Sequence, residues 1–138
     1  MADQQSVTAT PLLTLNALDY LEARGLNVLV FSNWYSSDFS DSKISGVELI
    51  HHGVRTATNG DVRLDPTPGQ WDPIPTFKRR VIDRPRQAIE AYSAYPAYDC
   101  DFSIRVHPQG DGVVISVHLD RPLPAALEGR AGFNLEFV

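Results

Sequence analysis

The sequence has a single cysteine among its 138 residues, and this scarcity excludes several kinds of site. One cysteine, Cys100, can form neither an intrachain disulfide nor a cysteine-based zinc site. Asp99 and Asp101 flank it, and their negative charges would raise the pKa of the thiol, which disfavours a nucleophile. We therefore expect Cys100 to be a buried or half-buried strand residue.

Positive charge is also scarce, because 12 Lys and Arg residues stand against 17 Asp and Glu residues, for a formal net charge of −5. The only basic run, Lys78-Arg79-Arg80, leads into Val81 and Ile82 and is typical of a solvated strand face. No basic stripe that could follow a phosphate backbone is present. Nucleic acid is therefore not an expected partner.

Long apolar runs are missing as well, and none approaches the length of a membrane span. Residues 1–10 lack the basic and apolar regions of a signal peptide. We expect residues 1–10 to be a disordered polar tail, and we expect no membrane partner.

What the sequence does contain is a series of short apolar segments, many with period-two alternation and separated by Pro- and Gly-rich turns. The candidate strands are Leu26–Phe31, Val47–His52, Val54–Ala57, Phe77–Ile82, Phe102–Val106, Val113–Leu119 and Gly132–Val138. This pattern predicts one all-β domain over residues 11–138, an antiparallel two-sheet β-sandwich of Ig-like or jelly-roll-like type with at most one short helix.

Turn chemistry supports this prediction at several positions. Asn59-Gly60 has the composition of a hairpin turn, Gly53 marks a tight turn or bulge, and residues 109–112 form another hairpin signal. Two segments, Leu15–Arg24 and Arg86–Tyr95, fit either a helix or a strand. The second is better interpreted as a strand, because residues 83–85 look like a hairpin connection and a proline follows at position 96.

Two polar segments rich in turn residues carry both tryptophans of the chain. Four prolines surround Trp71 between positions 66 and 75, and Trp34 and Tyr35 precede a Ser- and Asp-rich stretch. Exposed aromatic rings stack on the apolar faces of sugars, while amides and carboxylates bind the hydroxyls. The candidate ligand-binding residues are Trp34, Tyr35 and Trp71 for stacking, with Asn33, Gln70 and Asp72 for hydrogen bonding. In the alternative, both indoles cap the core.

Metal sites have weaker support in the sequence. Adjacent His51 and His52 would point to opposite faces of a strand. His107 and His118 could be cross-strand neighbours and could bind a transition metal together with Asp120 or His52. Oxygen ligands for a structural calcium could come from two acidic pairs, Asp38 with Asp41 and Asp61 with Asp65. No cofactor other than such a calcium is expected.

Several segments resemble the N-terminal β-sandwich domain that precedes the catalytic domain in bacterial glycoside hydrolases of family 9 and related proteins. They are Leu26–Phe31, Ala57–Gln70, Trp71–Pro75, Phe102–Arg105 and Gly132–Phe137, and the block from Asn59 to Pro75 is the most specific. The resemblance implies a non-catalytic accessory module of a secreted or periplasmic enzyme whose signal has been removed. It implies no catalytic residue in this chain.

Three functions remain open at this point. The first is a module that binds a β-glucan-type plant polysaccharide for a parent glycoside hydrolase. The second is a structural domain that packs on a catalytic domain without sugar affinity. The third is a small metal-dependent enzyme that uses His107 and His118.

Overall fold

The computed structural model describes residues 12–32, 46–64 and 75–138. Within these ranges the chain forms ten strands and two helical turns of three residues each. The strands are β1 (Thr14–Leu15), β2 (Leu21–Ala23), β3 (Leu26–Val30), β4 (Val47–His51), β5 (Val54–Arg63), β6 (Thr76–Asp83), β7 (Ala88–Tyr95), β8 (Cys100–Gln109), β9 (Gly112–Leu119) and β10 (Gly132–Phe137). The 3₁₀ turns are Pro96–Tyr98 and Ala125–Leu127.

The strands form two antiparallel sheets, which confirms the all-β two-sheet prediction. The six-stranded sheet has the order β1-β2-β3-β4-β5-β10, and the four-stranded sheet has the order β6-β7-β8-β9. Neighbours in each sheet follow one another along the chain, except that β10 returns to pair with β5.

The core lies between the two sheets and takes buried side chains from both. The six-stranded sheet contributes Leu21, Val28, Val30, Val47 and Val62, and the four-stranded sheet contributes Ile89, Ala91, Tyr95, Phe102, Ile104 and Val106. Alternate residues of a strand point to opposite faces. The predicted inward set of β8, Phe102, Ile104 and Val106, is accordingly buried.

The two segments with ambiguous periodicity are both extended. Residues 88–95 form β7, as favoured from the turn and proline that bound it. Residues 14–23 form the two short strands β1 and β2 around a turn in which Asn16 Oδ1 accepts hydrogen bonds from the N–H groups of Leu18 and Tyr20. An Asn that bonds its own following backbone competes with helix formation, which explains why this apolar spacing does not produce a helix.

The hairpin predicted at Asn59-Gly60 is wrong, because both residues lie inside β5. The register shifts there against both neighbouring strands, so that β5 carries an extra residue in a bulge. Asn59 has φ 57°, a left-handed conformation that asparagine tolerates. The residues therefore supply the positive φ that the sequence suggested, but they bend a continuous strand instead of reversing it.

The other turn assignments are confirmed. His52 and Gly53, with φ 49° and 79°, form the two-residue connection between β4 and β5. Gly110 and Asp111 connect β8 to β9, and residues 84–87 connect β6 to β7. Each of these connections joins antiparallel neighbours, as short loops do.

Candidate functional site

The six residues predicted to bind a ligand lie outside the described ranges. They are Asn33, Trp34, Tyr35, Gln70, Trp71 and Asp72. The same holds for three of the four acidic residues considered for calcium, Asp38, Asp41 and Asp65. Their proposed roles stay predictions, and the site has to be sought on the strands.

The side of the four-stranded sheet that faces away from the core carries two polar rows that run across its strands. The first row is Arg79, Tyr92, Ser103 and His118, and the second is Val81, Glu90, Arg105 and Ser116. We call these eight residues the outer face. Four strands at about 4.8 Å spacing give each row a length of about 14 Å.

Tyr92 lies in the middle of the outer face and is half-buried. The guanidinium carbon of Arg79 lies 4.2 Å from the centre of its ring, in a cation–π contact across β6 and β7. Desolvation, together with a hydrogen bond to Glu90 and the charge of that carboxylate, raises the pKa of the Tyr92 phenol. The phenol is therefore a neutral hydrogen-bonding group at physiological pH.

Glu90 organises the second row through contacts with β8. The hydroxyl of Ser103 donates a hydrogen bond of 2.8 Å to Glu90 Oε2. Arg105 Nη1 lies 3.6 Å from Glu90 Oε1, and Arg105 Nη2 lies 3.3 Å from Asp83 Oδ2. These contacts fix three side chains of the outer face relative to one another.

Asp83 closes this network at the edge of the sheet. Desolvation acts to raise the pKa of its carboxyl, but hydrogen bonds from Arg105 and Arg86 and the charge of Arg86 outweigh that effect and lower the pKa. Asp83 is consequently an anion at neutral pH, which suits a structural acceptor and not a general acid.

Most residues of the outer face were not singled out from the sequence. Tyr92 and Tyr95 lie on opposite faces of β7, since Tyr95 is buried in the core. In β8, alternation places Ser103 and Arg105 on the face opposite the buried Phe102 and Ile104. Their convergence depends on the pairing register, which the sequence did not determine.

The expectation that His107 and His118 are cross-strand neighbours is wrong. His107 pairs with Val114, and His118 pairs with Ser103. Ser103 and His107 are four residues apart on one strand, which separates the two histidines by about 13 Å along the sheet. Asp120 follows β9, beyond His118, and is no closer to His107. The three residues do not form a common ligand set.

The other histidine pair also differs from expectation. His51 ends β4 whereas His52 begins the turn, so the two rings lie together, with centroids 4.2 Å apart, instead of pointing to opposite faces. Across residues 12–32, 46–64 and 75–138, no three His, Cys, Asp or Glu side chains are grouped so that they could hold a metal ion.

Cys100 is buried at the start of β8, as predicted. Desolvation, followed by the charge of Asp101, raises the pKa of its thiol.

In the described part of the chain, no helix is long and apolar enough to cross a membrane.

Comparison with known proteins gives no match: no family model matches the sequence, and no curated protein and no solved structure matches it.

Proposed function

We propose that this protein is a non-catalytic module that binds a hydroxyl-rich carbohydrate on its outer face. The row of Arg79, Tyr92, Ser103 and His118 carries the proposal, because it places one half-buried aromatic ring between two exposed hydrogen-bonding side chains, those of Arg79 and His118. Ser103 is buried and bonds Glu90, so it supports the row without contacting a ligand. The proposed ligand is a β-glucan-type polysaccharide. The proposed setting is an accessory role in a secreted or periplasmic glycoside hydrolase.

The chemistry of the outer face fits such a ligand. The part of the Tyr92 ring that the Arg79 guanidinium leaves uncovered offers apolar contact to the C–H face of a sugar. This type of contact is worth about 0.5–1.5 kcal/mol by analogy with aromatic pairs. Arg79 and His118 are exposed donors on either side of Tyr92. A row of about 14 Å across four strands suits an extended chain better than a compact ligand.

The charged groups support binding rather than hydrolysis. Glycoside hydrolysis needs two carboxyl groups about 5–10 Å apart across a cleft, one of them with a raised pKa. On the outer face, Glu90 is engaged by Ser103 and Arg105, and Asp83, at its edge, has a lowered pKa. Asp61 does have a raised pKa, but it is buried in β5 and out of reach of a polymer.

Titration calorimetry and affinity electrophoresis against cellulose, xyloglucan, mixed-linkage glucan and xylan test the proposal. We expect binding to at least one of them, and we expect Tyr92→Ala and Arg79→Ala to weaken it at least about tenfold, the equivalent of 1.4 kcal/mol. Arg24→Ala is the matched control, since it removes an exposed arginine in the turn between β2 and β3, which belong to the other sheet. No binding to any glycan, or equal binding by all variants, would overturn the proposal.

A further inference from the structure

One side of the sandwich leaves both sheets with an edge strand that has no second strand partner among the described residues. There β10 pairs only with β5, and β9 pairs only with β8. Between them lies an open apolar cleft of about 360 Å³, whose lining includes Val62, Leu119 and Phe133. The exposed apolar side chains of β10 lie on this side of the sandwich.

β10 is the less protected of the edges of the six-stranded sheet. The opposite edge, β1, has only two residues. Edge strands usually avoid association through shortness, lysines or prolines. β10 has six residues with neither lysine nor proline, and the exposed fractions of Phe133, Phe137 and Val138 are 37%, 71% and 81%.

The sequence of β10 is self-complementary in one antiparallel register. A two-fold axis through Leu135 and perpendicular to the sheet places Phe133 of one copy opposite Phe137 of the other. The same axis places Asn134 opposite Glu136, so that no like charges face each other, while within each chain Asn134 Nδ2 keeps its hydrogen bond of 3.1 Å to Glu136 Oε2. Aromatic pairs directly across two strands stabilise a sheet.

The two neighbouring registers, with the axis at Glu136 or at Asn134, also keep the core-facing side chains of both copies on the same side of the sheet, but they are less favourable. An axis through Glu136 would place that carboxylate opposite its own copy, and like charges directly opposite destabilise a strand pair. An axis through Asn134 would leave Phe137 opposite Ala131, outside the strand. The register centred on Leu135 is therefore the favoured one, because it avoids opposed carboxylates and pairs both phenylalanines.

We propose that the partner of this edge is a second copy of the chain, paired strand to strand through β10 about a two-fold axis at Leu135. The two six-stranded sheets then form one continuous twelve-stranded sheet across the dimer. The clefts of the two copies meet on the same side, where Val117, 41% exposed, and Phe133 lose solvent contact. Such a self-complementary interface is what a two-fold dimer requires.

Sedimentation equilibrium between about 1 µM and 1 mM tests the proposal, a range that covers association free energies of roughly −8 to −4 kcal/mol. We expect a monomer–dimer equilibrium whose dissociation constant rises at least about tenfold in Phe137→Lys, since lysine both removes the aromatic pair and protects the edge. Leu18→Lys, at a position 74% exposed in the β1–β2 turn, is the control and should leave the constant unchanged. Circular dichroism verifies that both variants are folded.

Cysteine cross-linking tests the register. The double variant Phe133→Cys/Phe137→Cys places thiols opposite each other in the proposed dimer and should form disulfide-linked dimers on mild oxidation. Phe137→Cys alone should not, because Phe137 of one copy lies opposite Phe133 of the other, which leaves the two Phe137 positions four residues, or about 14 Å, apart along the paired strands. A monomer throughout the concentration range, a dimer unaffected by Phe137→Lys, or equal cross-linking by both cysteine variants would overturn the proposal.

Discussion

The phenol oxygen of Tyr95, on the four-stranded sheet, donates a hydrogen bond of 2.7 Å to the main-chain carbonyl oxygen of Val62, on the six-stranded sheet. Both residues are buried, with exposed fractions of 1% and 4%. The contact joins the end of β7 to the end of β5, across a core that is otherwise apolar. It therefore fixes the position of one sheet over the other as well as contributing to stability.

Removal of this hydroxyl should destabilise the fold. We expect Tyr95→Phe to lower the free energy of unfolding by about 1–2 kcal/mol, because the ring stays packed while a buried hydrogen bond is lost. Urea denaturation followed by tryptophan fluorescence measures the change. Tyr98→Phe, at a half-buried position of the 3₁₀ turn, should change it by less than about 0.5 kcal/mol. Equal effects of the two substitutions would contradict this role for the Tyr95 hydroxyl.

The bulge in β5 brings two strands too close for a side chain at Gly60. A Cβ at this position would lie 2.7 Å from Val47 Cβ and 2.9 Å from the Val47 carbonyl oxygen. We expect Gly60→Ala to destabilise the protein by about 1–3 kcal/mol through overpacking. Gly112→Ala is the control, since a Cβ there meets no atom within 4 Å. A shift of the thermal midpoint only for Gly60→Ala is the expected result, and an unshifted midpoint would contradict the close approach.

The fold class was predictable because alternation and turn residues are local properties of the sequence. β8 and β9 show this well, since each alternates apolar with polar residues and a turn with glycine joins them. The bulge at Asn59-Gly60 was not predictable in the same way. A pair of residues that tolerates positive φ suits both a hairpin and a bulge, and only the strands on either side of β5 decide between them.

The candidate site was harder to predict because it depends on register. His107 and His118 both alternate away from the core, but they lie three and seven residues from the two-residue turn at Gly110-Asp111, so the pairing aligns His118 with Ser103 instead. A shift of even one pair along a strand changes every neighbour of a side chain. Periodicity thus identifies the face on which a residue lies, while the pairing decides which residues meet there.

The tryptophans allow a test of the binding proposal that is independent of the outer face. If Trp34 and Trp71 stack on the sugar, Trp34→Ala and Trp71→Ala should weaken glycan binding at unchanged stability. If they cap the core instead, each should lower the free energy of unfolding by about 3–5 kcal/mol. Parallel calorimetry and urea denaturation separate the two outcomes. Loss of binding in these variants but not in Tyr92→Ala would move the sugar site from the outer face to the segments that carry the indoles.

The carboxyl group of Asp61 should make stability depend on pH in the acidic range. Desolvation by burial raises its pKa from 3.8 to about 6, although the Val62 N–H donates a hydrogen bond of 2.8 Å to Oδ1. The folded state therefore binds this proton more tightly than the unfolded state does. The contribution of the group to stability is greatest below pH 4 and is lost as the pH rises through about 6, with a total change on the order of 3 kcal/mol.

Asp61→Asn isolates this contribution, because the amide cannot ionise and its oxygen can still accept the bond from Val62. We expect the variant to be more stable than the parent at pH 7 and to lose that advantage as the pH falls from about 6 to 4. Urea denaturation of both proteins at each pH gives the difference between their free energies of unfolding. The contributions of all other titrating groups are the same in both proteins and cancel in this difference. A difference that does not vary between pH 4 and 7 would show that Asp61 is ionised in the folded protein with an ordinary pKa.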